Sequence, residues 1–125
     1  GRSGPALRCS PVSTAAPPPI LSELETLLRS RLAERPEGSY TTRLLVEPTL
    51  VQRKIMEESF EVCLELQAAE PDRAATASEA ADLVFHLLTA LVGAGVAWAD
   101  VEAVLAERFG KPARDSSYGT EAVDR

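Results

Sequence analysis

Ile20, Leu21, Leu24, Leu27, Leu28 and Leu32 recur at helical spacing directly after Pro19, and the run stops before Arg35-Pro36, where proline disfavours helix at the residue before it. The pattern predicts a first helix there. Residues 35–48 carry Pro36, Gly38, Ser39 and the Thr41-Thr42 pair with no clear period, so they read as a loop with at most one helical turn near Leu44. A second helix is predicted over 49–69: Val51, Ile55, Val62 and Leu66 share one face, Met56, Phe60 and Cys63 lie at its margin, and Pro71-Asp72 ends it. The third, over 73–92, is apolar around most of its circumference and is closed by Gly93-Ala94-Gly95. The fourth, over 99–109, turns Val101, Val104 and Leu105 inward before Gly110 and Pro112. No strand pattern or repeat emerges, so the fold class is all-α, a helical bundle over residues 20–110.

The polar positions sharpen this picture. On the second helix Lys54, Glu58, Glu61 and Glu65 form a narrow stripe with Glu57 beside it; a solvated polar face explains that stripe as well as a site does. The third helix is different, because Glu79, Asp82, His86 and Thr89 share a stripe on a helix whose other positions are apolar. Carboxylates on a buried helix need cations, and the helix has no Arg or Lys after Arg73. Glu58-x-x-Glu61 and Glu79-x-x-Asp82 each set two oxygen ligands one turn apart, and antiparallel packing would bring the pairs together. Four hard carboxylates without thiolate suit Mg²⁺ or Mn²⁺. A di-iron site wants Glu-x-x-His, and His86 lies seven residues after Glu79, so His86 reads as a packed histidine; Trp98 and Cys63 are also assigned to packing.

Composition excludes several classes. The chain has 125 residues, 45% of them hydrophobic, and a formal charge of -6, which gives no basic footprint for a nucleic acid. The apolar stretch over 83–96 is interrupted by His86, Thr89, Gly93 and Gly95 and falls short of the roughly 20 residues of a membrane span. Cys9 and Cys63 have no C-x-x-C spacing, so no disulfide framework or zinc site is expected and a cytoplasmic setting fits. Residues 1–19 hold no acidic residue and end in Pro17-Pro18-Pro19; they read as a disordered tail, a fusion linker or the end of a plastid transit peptide, and residues 111–125 as a loose tail.

Three stretches carry a family resemblance: Arg35-Pro36-Glu37-Gly38-Ser39-Tyr40-Thr41-Thr42-Arg43-Leu44, Lys54-Ile55-Met56-Glu57-Glu58-Ser59-Phe60-Glu61, and Ser78-Glu79-Ala80-Ala81-Asp82-Leu83-Val84-Phe85-His86-Leu87-Leu88. In order and spacing they resemble the phosphoribosyl-ATP pyrophosphatase family, within the all-α nucleoside triphosphate pyrophosphatase superfamily. The resemblance implies a four-helix-bundle-like fold completed by dimerisation, and Mg²⁺-dependent hydrolysis of phosphoribosyl-ATP to phosphoribosyl-AMP and pyrophosphate in histidine biosynthesis. It implies Glu58, Glu61, Glu79 and Asp82 as metal ligands, with Glu58 and Glu57 as the carboxylates that handle the attacking water. Arg35, Ser39, Tyr40, Arg43 and Lys54 are the implied contacts to the substrate, and a phosphoribosyl-AMP cyclohydrolase is an implied fused or associated partner. One position departs from the pattern: Met56 stands where the family usually has glycine, with Ser59 and Phe60 in place of smaller residues. A bulky side chain there would narrow the pocket, alter helix packing or mark a diverged member. The rival readings are a house-cleaning pyrophosphatase of the same superfamily and a non-catalytic helical dimerisation module.

Overall fold

The structure, a computed structural model, describes residues 19–111 of the chain. The tail readings over 1–18 and 112–125, and Cys9 with them, lie outside the described residues. Five helices follow one another: α1 (Ile20–Glu34), α2 (Tyr40–Val46), α3 (Pro48–Leu66), α4 (Arg73–Ala94) and α5 (Trp98–Arg108), with no strand among the described residues.

Local chemistry sets the boundaries. α1 ends where Arg35 takes the left-handed conformation at φ 49°, its N–H donating to Arg31 O at 2.8 Å, and Pro36 prevents continuation. The stretch read as a loop instead contains α2, a full seven-residue helix. Ser39 starts it by accepting a hydrogen bond from the Thr42 N–H at 3.1 Å, which satisfies one of the donors that a helix start leaves open. Pro48 opens α3, Asp72 caps α4 through the Ala75 N–H at 2.9 Å, and Gly95 closes α4 at φ 80°. At the start of α5, Asp100 accepts from the Ala97 N–H at 3.3 Å and Glu25, from α1, accepts from the Trp98 N–H at 2.8 Å.

α3 and α4, joined by the short segment 67–72, form an antiparallel hairpin with the most extensive helix–helix contact of the fold. α1 and α2 also pack on α4, and α2 touches α3 as well. The core lies there, with Leu28, Leu45, Leu88 and Val92 buried and Leu21, Leu24, Leu32, Phe85 and Trp98 packed around them. α2 comes so close to α4 that a Cβ on Gly93 would lie 2.6 Å from Leu45 O, so only glycine lets the two backbones meet.

Several expectations change. Leu66 of α3 and Val104 and Leu105 of α5, expected inside, are 56%, 42% and 44% exposed, because too little of the chain reaches them. Cys63 is exposed and not packed. On α4 only His86, Leu88, Thr89 and Val92 are fully buried. The helix also runs 22 residues, longer than the apolar stretch it contains, and is long and apolar enough to cross a membrane by length and composition. In the fold it is the central helix of the bundle, packed against α1, α2 and α3.

Candidate metal centre and active site

The hairpin brings three of the four paired acidic residues together. One carboxylate oxygen each from Glu58 and Glu61 of α3 and Glu79 of α4 lie within 4.8 Å of one another. This follows from register: with the turn at 67–72, Glu61 and Glu79 stand at equal heights on two antiparallel helices, and Glu58 is one turn further from the turn. Glu58 is buried, at 7% exposure. Asp82 lies one turn beyond Glu79, exposed and outside the tight group, yet close enough for its charge to act on Glu79.

Like charges this close oppose ionisation. A hydrogen bond with the Glu61 carboxyl, then burial, then the negative charges of Glu61, Glu58 and Asp82 hold the Glu79 carboxyl above its ordinary range. One oxygen of Glu58 and one of Glu79, both named Oε1, are buried with no hydrogen-bond partner. Buried acceptors normally have a donor or a cation. Two orphaned oxygens among three converging carboxylates, without thiolate or imidazole in the group, fit a hard divalent ion that retains water.

Lys54, one turn before Glu58, sits at the edge of the cluster with Nζ 3.3 Å from Glu57 and 3.9 Å from Glu58. The hydrogen bond with Glu57 holds the ammonium above its usual range; burial opposes this, while the charges of Tyr40, Glu57 and Glu58 add to it. Tyr40, at the start of α2, is close enough for its charge to act on Lys54. The other loop residues are engaged locally: the Ser39 hydroxyl caps α2, Arg35 Nε donates to Leu32 O at 3.0 Å, and Arg43 pairs with Glu47 at 3.5 Å. Glu57 is exposed and turned to Lys54.

His86 is a packed histidine, as expected. Its Nδ1 donates to Asp82 O at 2.8 Å, since a carbonyl only accepts, and its ring meets Phe85 edge-on. Its Nε2 is buried without a partner, as are the Thr42 and Thr76 hydroxyls. Neither threonine is among the candidate site residues of the sequence; the signal for Thr76 was its place one turn before Glu79 on a helix with few polar residues. Met56 is 67% exposed on the side of α3 away from the carboxylates, so within this chain it does not narrow the site.

Fold and cluster together define an all-α domain with a carboxylate group suited to a divalent ion. The family model of phosphoribosyl-ATP pyrophosphohydrolase matches residues 21–109, and the chain belongs to that family. It is 49% identical over 82 residues to the histidine biosynthesis trifunctional protein of Neurospora crassa, covering 66% of this chain and 9% of that protein. It is 44% identical over 93 residues to the histidine biosynthesis bifunctional protein HisIE of Pasteurella multocida, covering 74% of this chain and 45% of that one. With the phosphoribosyl-ATP pyrophosphatase of Rhodopirellula baltica it shares 43% identity over 95 residues, covering 72% and 77%. The chain therefore spans less than half the length of the bifunctional and trifunctional relatives.

Proposed function

We propose that this domain hydrolyses the α,β-phosphoanhydride of phosphoribosyl-ATP, releasing phosphoribosyl-AMP and pyrophosphate, as a step of histidine biosynthesis. The observation that carries the reading is the gathering of Glu58, Glu61 and Glu79, with two buried oxygens left unpartnered, in a member of this family. Glu58, Glu61, Glu79 and Asp82 hold Mg²⁺, with Mn²⁺ as a substitute; Asp82 joins by a side-chain rotation from its exposed position. When bound, the ion supplies neutralisation of the triphosphate and a lowered pKa for the attacking water.

Water attacks the α-phosphorus, the bond to the bridging oxygen breaks, and pyrophosphate leaves with the electron pair. Glu58, buried among the converging carboxylates, is better placed to take the water's proton than Glu57, which is exposed and turned to Lys54. Glu57 instead steadies Lys54, whose ammonium stays charged and offers a contact to a phosphate oxygen. Tyr40, whose charge acts on Lys54, is a further contact to the substrate. Arg35, Ser39 and Arg43 hold the shape of the segment that carries Tyr40, and the two arginines reach the ribose phosphate only by leaving their local partners. A second copy of the chain completes the fold, and a phosphoribosyl-AMP cyclohydrolase, fused or separate, takes the product.

The test is incubation of the chain with phosphoribosyl-ATP and Mg²⁺, with pyrophosphate as the readout, beside a panel of ordinary and damaged nucleoside triphosphates. Preferential turnover of phosphoribosyl-ATP supports the proposal. Preference for the panel indicates a house-cleaning pyrophosphatase, and metal binding without pyrophosphate release indicates a non-catalytic module.

A further inference from the structure

Two helices carry apolar stripes that nothing in the described chain covers. On α3, Met56, Phe60 and Leu64 follow one another at four-residue intervals and are 67%, 63% and 48% exposed, with the exposed Cys63 beside them. This stripe lies opposite the face that carries Glu58 and Val51, so α4 cannot reach it. On α5, Val104 and Leu105 are exposed, and Phe109, the residue that ends the helix, is 70% exposed. No residue of α5 is buried; the helix is held to its own chain at its start, by Trp98 against the core and by the Trp98 N–H on Glu25.

We propose that α5 is an arm that packs on the α3 stripe of a second copy, reciprocally, so that each protomer gives one arm and receives one. The proposal rests on the reading above that a second copy completes the fold, and it names the elements that meet. Area supports it. At the stated exposures the six side chains present on the order of 600 Å² of apolar surface, taking roughly 200 Å² for each phenylalanine. In a reciprocal interface each protomer brings both stripes, and together they are most of the ~800 Å² that each partner contributes to a stable interface. Reciprocal exchange uses both stripes in one closed two-fold dimer, whereas either stripe packing on itself leaves the other open. Charge agrees: Arg53 lies at the edge of the α3 stripe and Glu102 at the edge of the α5 stripe, and neither is in an ion pair among the described residues. The exposed apolar residues that depart from the family pattern, Met56 and Phe60, are then interface residues.

The native thiol of Cys63 makes the contact testable in the full chain carrying Cys9→Ser. Val104→Cys, Leu105→Cys and Phe109→Cys, made singly, are oxidised with diamide and run without reductant. At least one forms a disulfide-linked dimer, which disappears when Cys63→Ser is added. Absence of a linked dimer in all three, or linkage that survives Cys63→Ser, overturns the proposal. In parallel, sedimentation of the unlinked protein shows Phe60→Glu and Phe109→Glu each weakening the dimer by tenfold or more; an unchanged dissociation constant in both also overturns it. Pyrophosphate release from phosphoribosyl-ATP, measured on the unsubstituted chain, separates the two readings: its absence defeats the functional reading while the cross-link still decides the interface.

Discussion

Gly93→Ala is a small change whose outcome the close approach of α2 and α4 decides. In an open helix the substitution stabilises by roughly 1 kcal/mol, because alanine is the better helix former. Here the new methyl would stand 2.6 Å from Leu45 O, about 0.8 Å short of ordinary contact, with Leu45 C at 3.5 Å and Cα at 3.7 Å behind it. The obstacle is backbone, so no rotamer change relieves it and α2 has to move outward. Overpacking of this kind costs about 1–3 kcal/mol. Leu45 belongs to the core cluster with Leu28, Leu88 and Val92, so the displacement also loosens that packing. With a backbone obstacle the strain falls in the upper part of that range, about 2–3 kcal/mol, which less the propensity gain leaves a net loss of about 1–2 kcal/mol, or roughly 4–15 °C in Tm for a domain of this size. The same shift displaces Tyr40, the proposed substrate contact that begins α2, so KM for phosphoribosyl-ATP rises more than kcat falls. Thermal unfolding by circular dichroism and steady-state kinetics are the assays. A Tm raised by several degrees would show that the two backbones do not meet at Gly93 and would refute the placement of α2.

Other expectations follow from the same structure. Glu58→Gln, Glu61→Gln and Glu79→Gln each remove most pyrophosphate release while the helical circular dichroism spectrum is retained, since each deletes one of several mutually repelling carboxylates; Asp82→Asn does the same if that residue joins the ion. Unchanged turnover in any two of the four defeats the ligand assignment. Because the folded state holds the Glu79 carboxyl above its ordinary range, its contribution to stability is fully present below the ordinary carboxylate pKa and is lost as pH rises through the raised value. In metal-free buffer Glu79→Gln should therefore lose less stability than the parent between about pH 4 and neutrality, the starting point being an ordinary glutamate pKa; parallel pH–Tm curves contradict this. Met56→Gly leaves kcat within about twofold, because the side chain points away from the carboxylates, and costs about 1 kcal/mol of helix stability. A collapse of kcat in folded dimer would place Met56 in the working site.

What was legible in the sequence was the part fixed by long periodic runs. α1, α3, α4 and α5 could be read because Ile20 to Leu32, Val51 to Val62, Leu83 to Val92 and Val101 to Leu105 repeat at helical spacing and are bounded by Pro19, Pro36, Pro48, Pro71, Gly95 and Gly110. α2 was missed because seven residues span only two turns, too few for a period to emerge, and the turn residues before it dominate; Ser39 three places before Thr42 was the available clue. The meeting of Glu58, Glu61 and Glu79 could be foreseen from two i, i+3 pairs on either side of a short connection. The outward position of Asp82 could not, since spacing places a residue within a stripe and not against a neighbour. The exposures of Cys63, Leu66, Val104 and Leu105 were misread for a related reason: apolar periodicity marks a face that seeks a partner without saying whether the same chain supplies it.

In the proposed reaction Glu58, Glu61 and Glu79 hold the divalent ion that hydrolysis of phosphoribosyl-ATP requires. The most direct measurement is pyrophosphate release from phosphoribosyl-ATP during titration with Mg²⁺, comparing the parent chain with Glu79→Gln and following metal binding calorimetrically in the same preparations. The expected result is no release without the ion, saturable release with it, and loss of both ion binding and release in Glu79→Gln. Full release in chelator, or a Glu79→Gln protein that binds Mg²⁺ and turns over like the parent, would contradict it.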